Sequence, residues 1–281
     1  MLSGLPLNPA FTGTRGALNA TISHRSQWIG FGDALYTSTI SMHSPSKSEK
    51  LGIGGYVFTD VIGVSKQTGV MLNAAYQIKL TRENKLSFGL AGGIIMKQDK
   101  WSDILTTDQQ DQVFEVNQTG YTPNISTGIY YYTKDFYVSL SSPFMFTPKF
   151  NGSTISADIS PKGYNVFLNS GKEFKIDNKF KITPSFMLKY IYASPLQTDV
   201  NLMTKYSIKR VSSVHAGLSW RRKEAMIGIV KFELKVPYHI VFGYAFDYTL
   251  NAINIHSKGS HEISIQFDLK KTHNNYNPRF F

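Results

Sequence analysis

Glu262-Ile263-Ser264-Ile265-Gln266-Phe267-Asp268-Leu269 alternates polar and apolar residues without a slip. Successive side chains of an extended chain point to opposite faces, so this run predicts a strand with one oily face and one wet face. The run before it behaves alike: Tyr238, Ile240, Phe242, Tyr244, Phe246 and Tyr248 share one parity, against His239, Val241, Gly243, Ala245 and Asp247 on the other. A soluble sandwich also alternates, but its apolar face is mostly aliphatic, and here Tyr and Phe dominate. Aromatic-rich outer faces suit a lipid boundary.

Working outward, cutting the 281-residue chain wherever alternation stops and turn residues appear predicts fourteen strands. They fall at residues 17–28, 34–43, 51–60, 69–80, 85–98, 124–133, 135–144, 164–175, 180–192, 197–207, 212–221, 225–234, 238–248 and 260–269. Spans of about 9–11 residues cross a bilayer when tilted, and single-chain bacterial barrels have even strand numbers. No stretch reaches the roughly 20 apolar residues of a spanning helix, so a membrane location requires a closed barrel. The links after the fifth, seventh and thirteenth strands, at 99–123, 145–163 and 249–259, are long, and those after even-numbered strands are brief. The expected fold is all-β: a transmembrane antiparallel β-barrel of about 14 strands, with short periplasmic turns and long extracellular loops. Its expected division is a periplasmic N-terminal segment at 1–16, the barrel at 17–270 and a periplasmic C-terminal segment at 271–281. Two strands read poorly. In 225–234, Ile227 and Ile229 precede Lys231 and Glu233 on one parity, which predicts a bulge. Pro184 predicts a local irregularity, since proline gives no hydrogen to a ladder.

Composition narrows the chemistry. Charged residues make up 17%, below the roughly 25% of soluble domains. The absence of cysteine excludes disulfides, thiolate metal sites and a cysteine nucleophile. The net charge of +11 is spread in ones and twos, with Arg221-Arg222-Lys223 the densest group, which fits solvated turns better than a nucleic-acid groove. Export requires a signal peptide, and the opening carries no charged segment followed by an apolar run, so the expectation is a mature or trimmed form.

Catalysis has little to stand on. His239 and Asp247 share the inward parity with Ser264 nearby, but eight residues of strand separate the first two by roughly 26 Å. No Gly-x-Ser-x-Gly elbow occurs. The acidic loop with Asp99, Asp103, Asp108, Asp111 and Glu115 lacks the ligand spacing of a calcium loop, and the histidines lack zinc spacing. Gly52-x-Gly54-Gly55 is strand glycine, with no helix after it to make a nucleotide loop. The expectation is no enzyme, no cofactor and no metal.

The opening, Asn8-Pro9-Ala10-Phe11-Thr12-Gly13, then Arg15-Gly16-Ala17 and His24-Arg25-Ser26-Gln27-Trp28, resembles the start of the PorP/SprF family of type IX secretion system membrane proteins. Leu51-Gly52-Ile53-Gly54, Asp60 with Gly63, and Lys85-Leu86-Ser87-Phe88-Gly89-Leu90 are similar to its inner pieces. Gly243-Tyr244-Ala245-Phe246-Asp247-Tyr248 and Gly259-Ser260-His261-Glu262-Ile263 resemble its closing hairpin. The resemblance implies a barrel in the outer membrane of a Gram-negative bacterium. It further implies a non-enzymatic role in exporting or anchoring a large surface adhesin through that protein's C-terminal region, with periplasmic secretion and motility components as further partners. Family members carry a signal peptide ahead of the motif, so the resemblance implies a longer precursor.

Physical reading of the opening agrees: Asn8-Pro9 favours an extended or turn entry, and Gly13 and Gly16 permit close backbone approach. Arg25 shares the lumenal parity with Asn19, Thr21 and Ser23. It has two readings, a solvated or plug-packed arginine and an ion pair with Glu262 across the barrel seam. The long loops and their edges carry Trp101, Phe114, Tyr121, Phe144, Phe146 and Phe150, which read either as contact anchors for an adhesin or as girdle and plug packing. A fourteen-stranded barrel is too wide for side chains alone to fill, so a channel for small solutes or fatty acids is the alternative function.

Overall fold

The computed structural model describes residues 4–30, 35–103, 117–151, 154–158, 165–209, 211–235 and 238–269. Its first five strands are β1 (Asn19–Gln27), β2 (Leu35–Pro45), β3 (Leu51–Ile62), β4 (Ser65–Lys79) and β5 (Lys85–Asp99). There follow β6 (Gln118–Tyr132), β7 (Phe136–Ser142), and a separate hairpin of β8 (Thr147–Asn151) with β9 (Thr154–Asp158). The wall resumes with β10 (Asn165–Lys172), β11 (Phe174–Lys175), β12 (Phe180–Ile191), β13 (Gln197–Lys209) and β14 (Ser212–Arg221). It ends with β15 (Ala225–Leu234), β16 (His239–Thr249) and β17 (Ser260–Asp268). Each wall strand pairs antiparallel with its neighbours, and β1 pairs with β17, so the sheet closes on itself. Since β10 and β11 both pair with β12 in one register, they are a single wall strand, and the barrel has fourteen.

The alternation decides which side faces lipid. Leu72 is 72% exposed and its neighbour Asn73 is 3% exposed, the reverse of a soluble protein. Ile22, Ile40, Ile53, Leu90, Phe242 and Ile263 point out, while Thr21, Ser41, Ser87, Asn124 and Gln266 are buried on the inner side. Lipid rewards the first set, and an enclosed lumen satisfies the second.

Three details depart from or sharpen the strand reading. β6 begins at Gln118, six residues before its expected start, and pairs with β5 up to Asp99↔Gln118. Thr119, Tyr121 and Pro123 face out there without a clear apolar alternation, which hid the strand. The bulge expected in 225–234 is absent, because β15 keeps unbroken register with both neighbours. Ile227 and Ile229 simply point inward with Lys231 and Glu233, packing with Ala225 and Ala245 in an apolar band of the lumen. The register shift lies instead at Ser207/Lys209 in β13. The irregularity expected at Pro184 is present: the β10–β12 and β11–β12 ladders break opposite it, and the Glu173 N–H turns to the Asp135 carbonyl at 2.6 Å.

Candidate functional site: the lumen and its docked opening segment

The links 46–50, 80–84, 133–135, 176–179, 210–211 and 235–238 leave one end of the barrel, the end from which β1 starts and at which β17 finishes. The long links 100–117, 143–164 and 250–259 leave the other.

Where a periplasmic N-terminal segment is expected at 1–16, the described residues 4–17 lie inside the lumen, chiefly along β2 to β7. Asn8 opens a single 3-10 turn at Pro9–Phe11, accepting the Ala10 N–H at 2.8 Å on its side-chain oxygen. Proline suits the first position of such a turn, because its missing N–H has no partner there anyway. The wall then binds the segment's backbone with one side chain after another. Ser87 Oγ donates to the Ala10 carbonyl (2.7 Å) and Ser141 Oγ to the Leu7 carbonyl (2.7 Å). Gln77 Nε2 donates to the Thr12 carbonyl (3.4 Å), and His43 Nδ1 accepts the Gly13 N–H (3.1 Å). In return Asn8 Nδ2 donates to the Ile129 carbonyl (3.3 Å).

Glycines make the approach possible. A Cβ on Gly89 would overlap the backbone of Pro9 and Ala10, one on Gly52 the backbone of Thr12 and Gly13, and one on Gly128 the Asn8 side chain. Phe11 meets Tyr130 edge-on at 4.7 Å, within a buried group with Tyr132 and Tyr137. Leu5 packs on Tyr56, Phe58, Met71 and Ala91.

Across the lumen the wall is charged. Towards the long-loop end, Arg25 donates to Asp247 (2.5 Å) and to Glu262 (3.3 Å), so the structure brings together the pair that the parity set at one height. Arg221 contacts Asp199 (3.3 Å) and Glu224 (3.0 Å), and Lys189 Nζ lies 3.5 Å from Asp199. At the short-turn mouth, Asp268 takes Arg15 (3.2 Å), Asn19 (2.6 Å) and His239 (2.5 Å). Glu233 takes His239 (2.7 Å), Lys205 (2.6 Å) and His215 (3.2 Å). His239 and Asp247 therefore belong to different clusters.

The two ends of the family-like motif meet along the β1–β17 seam. Trp28, held at a left-handed φ of 48°, gives its N–H to Ser260 Oγ at 3.1 Å, and Gln27 ends β1 beside it. His261 lies on the outer face, its Nδ1 2.7 Å from the Tyr244 hydroxyl. Of the loop aromatics, Tyr121 points outward at 65% exposure, and Trp101 opens a short 3-10 turn, half-buried. Phe144 turns inward and packs against Phe58 and its cluster, and Phe146 is half-buried beyond it. Phe114 and the side chain of Phe150 lie outside what the structure describes, as do residues 271–281.

Sequence reasoning missed His43, Gln77, Ser141, Asp199, Arg221 and Lys189. Their signal was present as polar residues on the inward parity, but nothing local tells a solvated lumenal group from one that grips another segment. Among the described residues no cluster of His, Asp and Glu is arranged to hold a metal ion.

Solved structures share this architecture at low identity, which speaks to fold alone. The CymD monoaromatic hydrocarbon channel superposes with a TM-score of 0.57 at 10% identity, covering 96% of this chain and 93% of that one. A Pseudomonas aeruginosa FadL homologue gives 0.56 at 7% identity, covering 92% and 93%. The P. putida toluene transporter TodX gives 0.54 at 9%, covering 97% and 95%. No curated protein sequence matches the chain. The model of the type IX secretion system membrane protein PorP/SprF matches residues 1–267, taking in the lumenal segment, the glycines that receive it and both sides of the seam. The chain belongs to the PorP/SprF family, and its place is the outer membrane.

Proposed function

We propose that this barrel is a non-enzymatic partner of type IX secretion that binds a large exported adhesin, anchoring it or helping it out. The long-loop end faces outward and the short-turn end, where β1 starts and β17 finishes, meets periplasmic secretion or motility components. Family membership supports the system, and the observation that carries the partner role is the lumen lined with the chain's own opening segment. A barrel whose interior holds its own backbone offers its rim and loops for work. Trp101 and Tyr121, with Phe146, Phe114 and Phe150, are the proposed contact aromatics; Phe144 serves them by packing the loop root inward.

Pulldown of the tagged barrel from detergent-solubilised outer membranes, read by mass spectrometry, tests this. The expected result is a large surface protein that is lost when residues 102–118 are deleted and the barrel still folds. Unchanged adhesin retention removes that loop from the mechanism, and a tag after Ile155 that stays hidden from antibody on intact cells reverses the orientation. A second reading, a small-solute channel, draws on the space left in the lumen between Tyr137, Thr183, Met203, Ile227 and Asp247. A large steady conductance in planar bilayers favours it, and silence favours the partner role.

A further inference from the structure

The rim at the short-turn end is unevenly charged. Residues 46–50, 79–85, 133–135 and 172–181, the turns of that end between β2 and β12 with the strand ends that flank them, carry ten Lys and Arg against five Asp and Glu. Their strands are consecutive neighbours in the wall, so these turns form one arc. About six strand spacings of about 4.8 Å make it roughly 30 Å long, nearly half the rim. It stands over the half of the lumen that holds the opening segment, whose Gly13 lies against Pro45 and Gly52 beside the first of these turns.

Two features set the arc apart from ordinary solvated turns. Lysines face lysines: the register puts Lys79 directly opposite Lys85, and Lys181 between Lys175 and Lys205. Like charges directly opposite one another destabilise a sheet, and one glutamate apiece reaches Lys79, Lys181 and Lys205. The second feature is the surplus. Lys47, Lys50, Arg82, Lys175 and Lys179 are exposed and enter no ion pair among the described residues. The nearby carboxylates are engaged already, Glu49 with Lys79, Glu173 with Lys181, and Asp177 with the N–H groups of its own turn. Lys79 and Lys85 share the parity of the buried Gln77 and Ser87, and Lys181 that of the buried Thr183, so these side chains stand around the mouth and not toward the bilayer. Charge spread over such a length and set around the mouth suits a macromolecular face laid across the opening better than a small anion or the headgroups outside the wall.

We propose that this arc docks an acidic polypeptide surface presented by a partner on the short-turn side, its carboxylates reaching Lys47, Lys50, Arg82, Lys175 and Lys179. Complementary charge of this kind speeds encounter and fixes orientation. The proposal rests on the reading of that end as the one that meets periplasmic components, and it gives the contact its chemistry.

For the test, the full-length barrel in phosphatidylcholine nanodiscs is titrated with a dye-labelled Glu-Gly repeat peptide of about ten residues, long enough when extended to span the arc, and read by fluorescence anisotropy. Lys47→Glu, Arg82→Glu and Lys175→Glu together change one cation in each of three turns and should weaken the peptide at least about tenfold. Lys66→Glu, Lys100→Glu and Arg222→Glu make the same change of charge at exposed positions of the long-loop end and should leave binding within about twofold. The arc set rebuilt with Gln removes the cations without adding repulsion; it should show an intermediate loss, and it decides the matter if the Glu set does not fold. Equal weakening by the arc set and the long-loop set overturns the proposal, as does the absence of saturable binding to the parent. Native mass spectrometry with phosphatidylglycerol is the lipid arm: retention equal in parent and arc variant is expected, and retention lost with the arc assigns it to headgroups and overturns the proposal. A pulldown from outer membranes that brings down no periplasmic component refutes the secretion reading and leaves the peptide result standing. A periplasmic component that the arc variant still retains refutes the arc alone.

Discussion

Gly89→Leu separates the docked segment from the barrel that holds it. A Cβ at position 89 would occupy the space of the Pro9 and Ala10 backbone, which cannot yield as a flexible side-chain tip can, so a leucine there and the segment in its berth exclude each other. The strand itself has no reason to fail, because the β4–β5 and β5–β6 ladders run without a break through that residue. Leaving the berth breaks the five bonds from His43, Gln77, Ser87, Ser141 and Asn8. At about 0.5–1.5 kcal/mol each, the hydrogen-bond share of the loss is about 3–7 kcal/mol. The chain has no cysteine, so Thr12→Cys, at a position that is 0% exposed, gives a clean maleimide reporter. Labelling should be slow in the parent barrel and fast in Gly89→Leu, with both still showing the gel mobility of a folded barrel. Gly92→Leu is the control, since nothing lies within 4 Å of a Cβ there and the position faces outward. Protection of Thr12→Cys that survives Gly89→Leu would falsify the docking argument.

Other outcomes follow from the same physics. Arg25→Ala leaves Asp247 and Glu262 short of a cation on the inner wall and should cost about 3–5 kcal/mol in urea unfolding, whereas Arg25→Met combined with Asp247→Asn and Glu262→Gln should recover much of it. A triple variant as unstable as the single one contradicts the ion-pair account. Ile265→Arg puts a charge on the lipid face and should cost about 2–4 kcal/mol near the bilayer midplane, while Gln266→Arg on the lumenal side should assemble; the opposite ranking inverts the barrel. In the turn before β12, the Asp177 carboxylate accepts the Lys179 and Phe180 N–H groups at 2.6 and 2.7 Å, which hold its pKa below the ordinary 3.8. A depressed carboxylate contributes order above its unfolded value and loses it as pH falls through the folded one. Amide exchange at Lys179 and Phe180 should therefore stay slow at pH 5 and lose protection well below 3.8, and Asp177→Ala should show the loss at all pH values. Protection indifferent to both changes removes the carboxylate from the turn.

The wall was legible because its signal is local. Lipid and lumen impose period-two alternation on every strand, so parity located strands such as 212–221 and 225–234 to the residue. It also set Arg25 level with Glu262. It missed the start of β6 because Thr119, Tyr121 and Pro123 do not alternate cleanly, and it mistook Ile227 and Ile229 for a bulge on the assumption that every inward residue is polar. The opening segment was illegible in its destination for a different reason. Backbone carbonyls of Leu7, Ala10 and Thr12 meet Ser141, Ser87 and Gln77 far along the chain, and no periodicity reports a contact between a turn and a distant strand. Gly52 and Gly89 read in the sequence only as strand glycines, because a missing Cβ does not say what comes close to it.

A barrel of fourteen strands encloses more room than its inward side chains can fill, and the two halves of this lumen answer that in different ways. Along β2 to β7 the inner wall combines glycines and serines that admit a backbone with buried tyrosines, Phe58 and Met71 that pack Leu5 and Phe11; the opening segment supplies that partner, covalently attached and therefore always at hand. Along β12 to β17 the inner wall carries, on either side of the apolar band at Ile227 and Ala245, Asp, Glu, Arg, Lys and His that balance one another across neighbouring strands. The stretches that resemble the family thus describe one device, not scattered marks: Asn8 to Gly13 is the insert, Gly52 and Gly89 are its berth, and Arg25 with Glu262 fastens the seam that encloses them. On this reasoning a substitution in the berth and one in the insert act on a single free energy. Ser87→Ala and Gly13→Ala, the latter strained at a φ of 75°, should each raise Thr12→Cys labelling, and together should raise it by less than the product of the two, because the first to release the segment leaves the second little to break.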